Sequence, residues 1–223
     1  MSPFTLYLSK LFRSSQNPAQ SEGMEAYLKN QFPFFGVKAP ERRHLQKLCL
    51  KKHPIENADQ LEIILYELWE KEEREFQYCG ADLAAAYFKL LTQSQLACIK
   101  NLISHKSWWD TVDSLATQTL GLGAKKYPDW KAQMTHWAQD ENLWIRRSAL
   151  LYQLKYGKDT HVQELFSFCS QMASEKEFFI AKAIGWALRQ YSRTNYTAVQ
   201  KFVDTTPLQA LSRREALRLY ITK

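Results

Sequence analysis

The sequence predicts an all-α fold made of stacked two-helix units. Three observations predict it: apolar residues at helical spacing, a scarcity of turn-forming residues, and a repeat of similar length along the chain. The 223 residues include only 7 Gly and 7 Pro, which is few for an all-β protein that needs a turn about every ten residues. No segment shows the sustained alternation of apolar and polar residues that is typical of strands. Long helices with short connections therefore fit better.

Apolar residues recur at helical spacing in several stretches. The stretch QLEIILYELWEKEEREF places four of them on one stripe at i, i+3, i+4 and i+7, namely Leu61, Ile64, Leu65 and Leu68. The same pattern recurs in NLWIRRSALLYQLKYG and EFFIAKAIGWALRQY. Asp140 or Asn142 marks the predicted start of the helix that contains Leu143, while Gly121 and Gly123 lie near predicted helix ends.

A repeat becomes visible when the predicted helix starts are aligned. The intervals are 33, 33, 35, 35 and 35 residues between the anchor positions Arg43, Phe76, Trp109, Trp144, Phe179 and Arg214. This period suits two helices that bury their apolar faces only by stacking on neighbouring units. HEAT-like pairs are favoured over tetratricopeptide units, because the Trp, Leu-Gly and Pro pattern of the latter is missing. We therefore predict an α-solenoid, a single domain of residues 1–223, with a concave face lined by each second helix.

Composition and cysteine usage limit the class of protein. Hydrophobic residues make up 45% of the chain and charged residues 24%, which is enough apolar surface for a buried core. The cysteines lack close paired spacing, so we expect reduced, mostly buried thiols and neither a metal site nor a disulfide framework, at Cys49, Cys79, Cys98 and Cys169. Neither a signal peptide nor a run of about eighteen apolar residues occurs. We expect a soluble cytoplasmic protein.

Positive charge is in excess and recurs along the chain. Lys and Arg number 30 against 23 Asp and Glu, which gives a formal net charge of +7. This excess fits an anionic partner or, more simply, a solvated surface. Basic residues are frequent in ERRHLQKLCLKK, WIRRSALLYQLKYGK and AKAIGWALRQYSR. Trp186 follows Lys182 by four residues and precedes Arg189 by three, so one helical face combines an aromatic ring with cations, as nucleic-acid sites do.

The stretch KSWWDTVDS places two tryptophans beside two aspartates. Asp113 follows Trp109 by one helical turn on the same face, and this pair is either a site or a core aromatic next to a solvated acid. Trp108 points about 100° away from Trp109, and packing and support of a site are both open for it. Asp110 fits a first-turn acid that favours the helix dipole, with Ser107 as a possible N-cap.

Six stretches in order carry a resemblance to a known family: FFGVKAPERR, LWEKEEREFQ, KSWWDTVDS, NLWIRRSALLYQLKYGK, KEFFIAKAIGWALRQYSRTN and LSRREA. Over essentially its whole length the chain resembles the AlkD-type DNA glycosylases, HEAT-like-repeat enzymes of alkylation repair. The resemblance implies a monofunctional glycosylase of base excision repair. It would hydrolyse the N-glycosidic bond of N3- and N7-alkylated purines, such as 3-methyladenine and 7-methylguanine, in double-stranded DNA. It also implies a monomer without metal, organic cofactor or membrane, associated with the nucleoid in a prokaryote.

The resemblance also implies roles for individual residues. Asp113 stabilises the oxocarbenium-like sugar and positions water, and an aspartate with an ordinary low pKa suffices because a cationic base needs no leaving-group acid. Trp109 and Trp186 lie beside the sugar and backbone of the lesion nucleotide. Arg147 and Tyr27 contact the DNA backbone.

Further DNA contacts are expected from basic residues, namely Lys38, Arg43, Lys155 and Arg189. The chain departs from the family at Lys38 and Ala39, where a polar pair is frequent. An alternative from another class is a non-catalytic solenoid that binds DNA structures or proteins. Such a relative is expected to lose the carboxylate of Asp113 while it keeps the basic residues.

Overall fold

The computed structural model describes residues 1–218, and all regular secondary structure in this range is helical. The predicted all-α fold is therefore confirmed. Contacts between Cα atoms divide the chain into two compact units, Met1–Lys106 and Ser107–Lys223. The single domain of residues 1–223 stays a prediction.

The first unit contains six α-helices and two short 3₁₀ turns. The α-helices are α1 (Pro3–Ser14), α2 (Pro18–Tyr27), α3 (Ala39–Lys52), α4 (Ala58–Glu70), α5 (Arg74–Ala86) and α6 (Leu96–Ser104). Helix α1 packs on α3 and α4, while α5 packs on both α3 and α4. The predicted stripe of α4 is buried, with Leu61, Leu65 and Leu68 all 0% exposed, and Asn57 caps this helix by accepting from the backbone N–H of Gln60.

A buried carboxylate holds the loop between α2 and α3. Glu75 on α5 is 0% exposed, and it accepts hydrogen bonds from the backbone N–H groups of Phe35, Gly36 and Val37 at 3.1, 2.9 and 3.0 Å. Gly36 has a φ of 84°, and a Cβ there would lie 2.1 Å from the carbonyl oxygen of Asn17. Burial raises the pKa of Glu75 above its ordinary value, although the backbone hydrogen bonds oppose the rise.

The second unit is also helical throughout its described part. Its α-helices are α7 (Trp109–Ser114), α8 (Gly121–Lys126), α9 (Pro128–Trp137), α10 (Leu143–Leu151), α11 (Val162–Gln171), α12 (Phe178–Ser192), α13 (Tyr196–Thr205) and α14 (Ala210–Leu217). A π-helical stretch, Leu115–Leu120, joins α7 to α8 without a break. Single π-helical turns are frequent near functional sites, and this one begins two residues after Asp113.

The helix that carries the anchor of each predicted repeat in this unit packs on the corresponding helix of the next repeat. Helix α7 packs on α10, α10 on α12, and α12 on α14. These four helices carry the predicted anchors Trp109, Trp144, Phe179 and Arg214. The packing of α7, α10, α12 and α14 is that of stacked two-helix repeats, as predicted for an α-solenoid. A concave basic face remains a prediction.

Two glycines lie near the end of a helix, as predicted, but within its last turns and not beyond it. Gly121 and Gly123 lie inside the continuous helical stretch from Trp109 to Lys126. A Cβ at Gly123 would lie 1.8 Å from the ring of Trp130, and one at Gly121 would lie 2.4 Å from the carbonyl oxygen of Tyr152. The glycines therefore permit close approach of neighbouring elements. The predicted helix start at Asn142 is also confirmed, because its side chain accepts from the backbone N–H of Trp144 at 2.9 Å.

The remaining composition predictions concern thiols, metals and membranes. All four cysteines are buried and free, so the predicted burial of the thiols is confirmed. Within residues 1–218 no group of three or more His, Cys, Asp or Glu side chains is placed to hold a metal ion. Over the same residues, no helix combines the length and the apolar character needed to cross a membrane.

Candidate active site

The second unit contains a cavity of about 360 Å³, within the range that small-molecule sites occupy. Four helices contribute its walls, which are α7, α10, α12 and α14. The lining side chains are Trp109, Asp113, Arg147, Phe178, Phe179, Lys182, Trp186, Arg189 and Glu215. Aromatic rings and charged groups of both signs therefore share one cavity.

Asp113 and Arg147 form a bidentate ion pair in the wall of this cavity. Arg147 donates from Nε to Oδ1 and from Nη2 to Oδ2 of Asp113, each at 2.7 Å. The guanidinium also donates from Nη1 to the carbonyl oxygen of Phe179. The Arg147 side chain is 6% exposed and that of Asp113 is 14% exposed. Because the fork holds both oxygens, the plane of the carboxylate is fixed, and a freely solvated surface acid is excluded for Asp113.

The environment of Asp113 shifts its acidity. Burial raises the pKa of Asp113 above its ordinary value, while the hydrogen bonds and the charge of Arg147 oppose the rise and Asp110 adds to it. An ordinary low pKa would suffice for the role that the family resemblance implies, and the buried position of Asp113 raises its pKa above that value. A carboxylate with a raised pKa accepts a proton more readily than a solvated one.

The two adjacent tryptophans have different positions. Trp108 packs with Trp144 and Phe179, with ring centroids 5.7 and 5.1 Å apart, whereas Trp109 lines the cavity. Trp108 therefore belongs to the packing beside the site. It is also the N-cap residue of α7, so the N-cap predicted at Ser107 is wrong. Asp110 lies in the first turn of α7 as predicted.

A second carboxylate in the lining, Glu215, binds two cations of α12, and a third cation, Arg218, lies 3.9 Å from it. Glu215 on α14 accepts from Nζ of Lys182 at 2.9 Å and from Nη1 of Arg189 at 2.7 Å, and its side chain is 9% exposed. A Cβ at Gly185 would lie 2.4 Å from the Cβ of Glu215, so this glycine lets α12 and α14 approach closely. Burial opposes ionisation, but the hydrogen bonds and charges of Lys182 and Arg189 lower the pKa of Glu215 below its ordinary value.

The structure brings together five of the nine predicted site residues, and these are Trp109, Asp113, Arg147, Trp186 and Arg189. Lys155 lies outside the cavity lining and donates to the side chain of Gln118 at 2.7 Å. Tyr27, Lys38 and Arg43 belong to the first unit, and all three are exposed.

Contact with DNA stays a prediction for all six residues to which it was assigned, which are Tyr27, Lys38, Arg43, Arg147, Lys155 and Arg189. The structure adds one observation on Arg43 and one on Arg147. Nε of Arg43 is 3.7 Å from Oδ2 of Asp82. Arg147 donates hydrogen bonds to the carboxylate of Asp113 and to the carbonyl oxygen of Phe179. Its side chain is part of the cavity wall. Its neighbour Arg146 pairs with Glu175 at 2.8 Å and is not among the lining residues.

Sequence reasoning missed the roles of Phe178, Phe179 and Glu215. Phe178 is 57% exposed and meets the ring of Phe179 edge to face at 5.4 Å. A signal for the charged groups does exist in the repeat itself. Asp113 and Arg147 are 34 residues apart, and Lys182 and Glu215 are 33 apart (215 − 182). Opposite charges one repeat period apart would have indicated both ion pairs, because stacking places equivalent positions side by side.

Comparisons with known proteins agree with this architecture. The family model for DNA alkylation repair enzymes matches residues 8–220. A solved structure described as a predicted DNA alkylation repair enzyme from Enterococcus faecalis is similar, with 34% sequence identity and a TM-score of 0.86. The similarity covers 93% of this chain and 97% of that one. No curated protein matches. Since the family match spans nearly the whole length, the chain belongs to the DNA alkylation repair enzyme family.

Proposed function

We propose that the protein is a monofunctional DNA glycosylase that removes N3- and N7-alkylated purines from double-stranded DNA in base excision repair. Membership of a DNA alkylation repair enzyme family supports the substrate class. The observation that carries the proposal is the buried carboxylate of Asp113, fixed by the fork of Arg147 in a cavity lined by Trp109 and Trp186.

The proposed reaction needs a fixed negative charge more than it needs an acid. Alkylation at N3 or N7 makes the purine cationic, so the bond between C1′ and the purine N9 breaks with its electron pair leaving on the base. The sugar then carries oxocarbenium character, which the carboxylate of Asp113 stabilises. Water adds to C1′, and its proton passes to Asp113, whose burial favours proton acceptance. No metal or organic cofactor takes part in this scheme.

The surrounding groups have distinct proposed roles. Arg147 is a positioning residue, because its fork sets the orientation of Asp113. The rings of Trp109 and Trp186 attract the cationic centre through their faces. Exposed side chains outside the cavity contact the DNA backbone in this proposal, and they are Tyr27, Lys38, Arg43 and Lys155.

The test is release of free 7-methylguanine from alkylated duplex DNA, measured against spontaneous depurination. We expect the wild-type protein to release the base and Asp113→Asn to be slower by about 100-fold, which is the size of effect for loss of one electrostatic contact to a transition state. Asp110→Asn is a matched control, because Asp110 is three residues away but is not a lining residue. Circular dichroism at the assay temperature checks that both variants are folded.

Two results would contradict the proposal at different levels. If the wild-type protein releases no more base than spontaneous depurination, the protein is not a glycosylase for this lesion, and the non-catalytic alternative predicts this outcome together with DNA binding. If Asp113→Asn and the wild-type protein release base equally fast, the activity stands but the role of Asp113 is wrong.

A further inference from the structure

The cavity lining combines opposing electrostatic requirements. Three of its side chains are cations, Arg147, Lys182 and Arg189, and two are carboxylates, Asp113 and Glu215. Cations favour the DNA phosphates. The same cations repel a purine that is itself positively charged, and they repel the oxocarbenium-like sugar. Asp113 pairs with Arg147, so the balance of the remaining charges depends on Glu215.

Glu215 is placed to set this balance. Its two oxygens bind Lys182 and Arg189 separately, at 2.9 and 2.7 Å. On α12, Trp186 lies between these two cations, four residues after Lys182 and three before Arg189. One carboxylate therefore holds the two cations that precede and follow Trp186 along α12. Without Glu215 the lining would carry three cations and one carboxylate, a net charge of +2 instead of +1.

We propose that Glu215 is a specificity-determining residue that keeps the cavity favourable to a cationic base while Lys182 and Arg189 remain available beside Trp186. The inference rests on the proposed glycosylase function and adds a second carboxylate to it. Asp113 acts on the charge that develops at the sugar. Glu215 acts on the charge that the lesion already carries before the bond breaks.

The role of Glu215 can be tested by DNA binding alone, without catalysis. Two duplexes that differ by one charge on the base serve as probes, one with neutral 7-methyl-7-deazaguanine and one with cationic 7-methylguanine, both on 2′-fluorinated sugars that resist loss of the base. We expect the wild-type protein to bind the cationic duplex more tightly than the neutral one. Glu215→Gln should reduce this preference about tenfold, because one unit of negative charge is lost from the lining at an effective dielectric constant of about 20. Binding of the neutral duplex should be as tight as in the wild type or tighter.

Matched variants separate this effect from a loss of packing. Glu175→Gln removes the same charge and also breaks an arginine ion pair in the second unit, that of Arg146 at 2.8 Å, but Glu175 is not a lining residue. This control should keep the full preference for the cationic duplex. Glu215→Asp keeps the charge on a shorter side chain and should retain most of the preference.

The inference is overturned if Glu215→Gln keeps the wild-type preference, or if Glu175→Gln reduces it to the same extent. Equal weakening of both duplexes by Glu215→Gln also overturns it, because a purely structural role predicts that result. Failure of the proposed function is visible separately, as a wild-type protein that releases no 7-methylguanine. Release by the wild type with an unchanged preference in Glu215→Gln would contradict only the role of Glu215.

Discussion

Two buried carboxylates, Glu75 in the first unit and Asp113 in the second, have similar settings and different partners. Both lie on second helices of the predicted repeats, α5 and α7. Burial raises the pKa of each. Glu75 accepts from three backbone N–H groups of one loop, whereas Asp113 accepts from the guanidinium of Arg147 and lines a cavity.

The difference shows which property marks a site. A perturbed pKa indicates burial, and structural carboxylates are buried as well as catalytic ones. The partners of Glu75 are neutral backbone donors of one loop, so its carboxylate stabilises the conformation of that loop. The partner of Asp113 is a cation that fixes the carboxylate plane while the side chain still lines a space large enough for a ligand. Cavity access and the kind of partner therefore separate the two roles.

The largest expected effect concerns stability at Glu75. Glu75→Gln replaces one acceptor oxygen by an NH₂ donor that faces the N–H of Phe35, so one buried donor loses its partner. We expect the free energy of unfolding to fall by about 2 kcal/mol, measured by urea denaturation. Base release per folded molecule should stay at the wild-type rate.

The exposed Glu72 nearby supplies the control for this prediction. Glu72→Gln makes the same chemical change just before α5 and should leave the free energy of unfolding nearly unchanged. A folded Glu75→Gln protein that has lost base release would break the comparison, because Glu75 would then act on the reaction as well as on the loop.

A smaller effect is expected where the fork of Arg147 is lost and its charge is kept. Arg147→Lys leaves one donor group in place of the planar pair that holds both oxygens of Asp113. We expect base release to slow about tenfold, as for a mispositioned catalytic group, with the salt dependence of DNA binding unchanged. Arg146→Lys is the control, since Arg146 pairs with Glu175 away from the lining. Wild-type rates in Arg147→Lys would show that one bond positions Asp113 well enough.

The sequence predicted the fold better than it predicted the site, and the reasons are physical. Apolar spacing and the 33 to 35 residue period report on helices and stacking directly. The same spacing placed Trp109 and Asp113 on one face, and the structure confirms that both line the cavity. The partner of a charged group is decided by side-chain packing across repeats, which periodicity does not encode. The ion pair of Arg147 with Asp113 and the contacts of Glu215 were therefore not predicted.

The smallest effect is a pH dependence that should differ in kind between the two carboxylates. Since the folded pKa of Asp113 is raised, its contribution to stability is full below the ordinary aspartate pKa and is lost as pH rises through the folded value. The folded pKa of Glu75 is also raised, so its contribution to stability depends on pH in the same direction. Activity depends on pH in the opposite direction. The proposed reaction needs ionised Asp113, so its rate falls on acidification.

Base release measured from about pH 7.5 to about pH 4.5, corrected for spontaneous depurination, should therefore show an acid limb in the wild type and in Glu75→Gln. The limb should be absent from the residual activity of Asp113→Asn, whose amide does not titrate. An acid limb that disappears in Glu75→Gln and persists in Asp113→Asn would reverse the assignment of the two carboxylates.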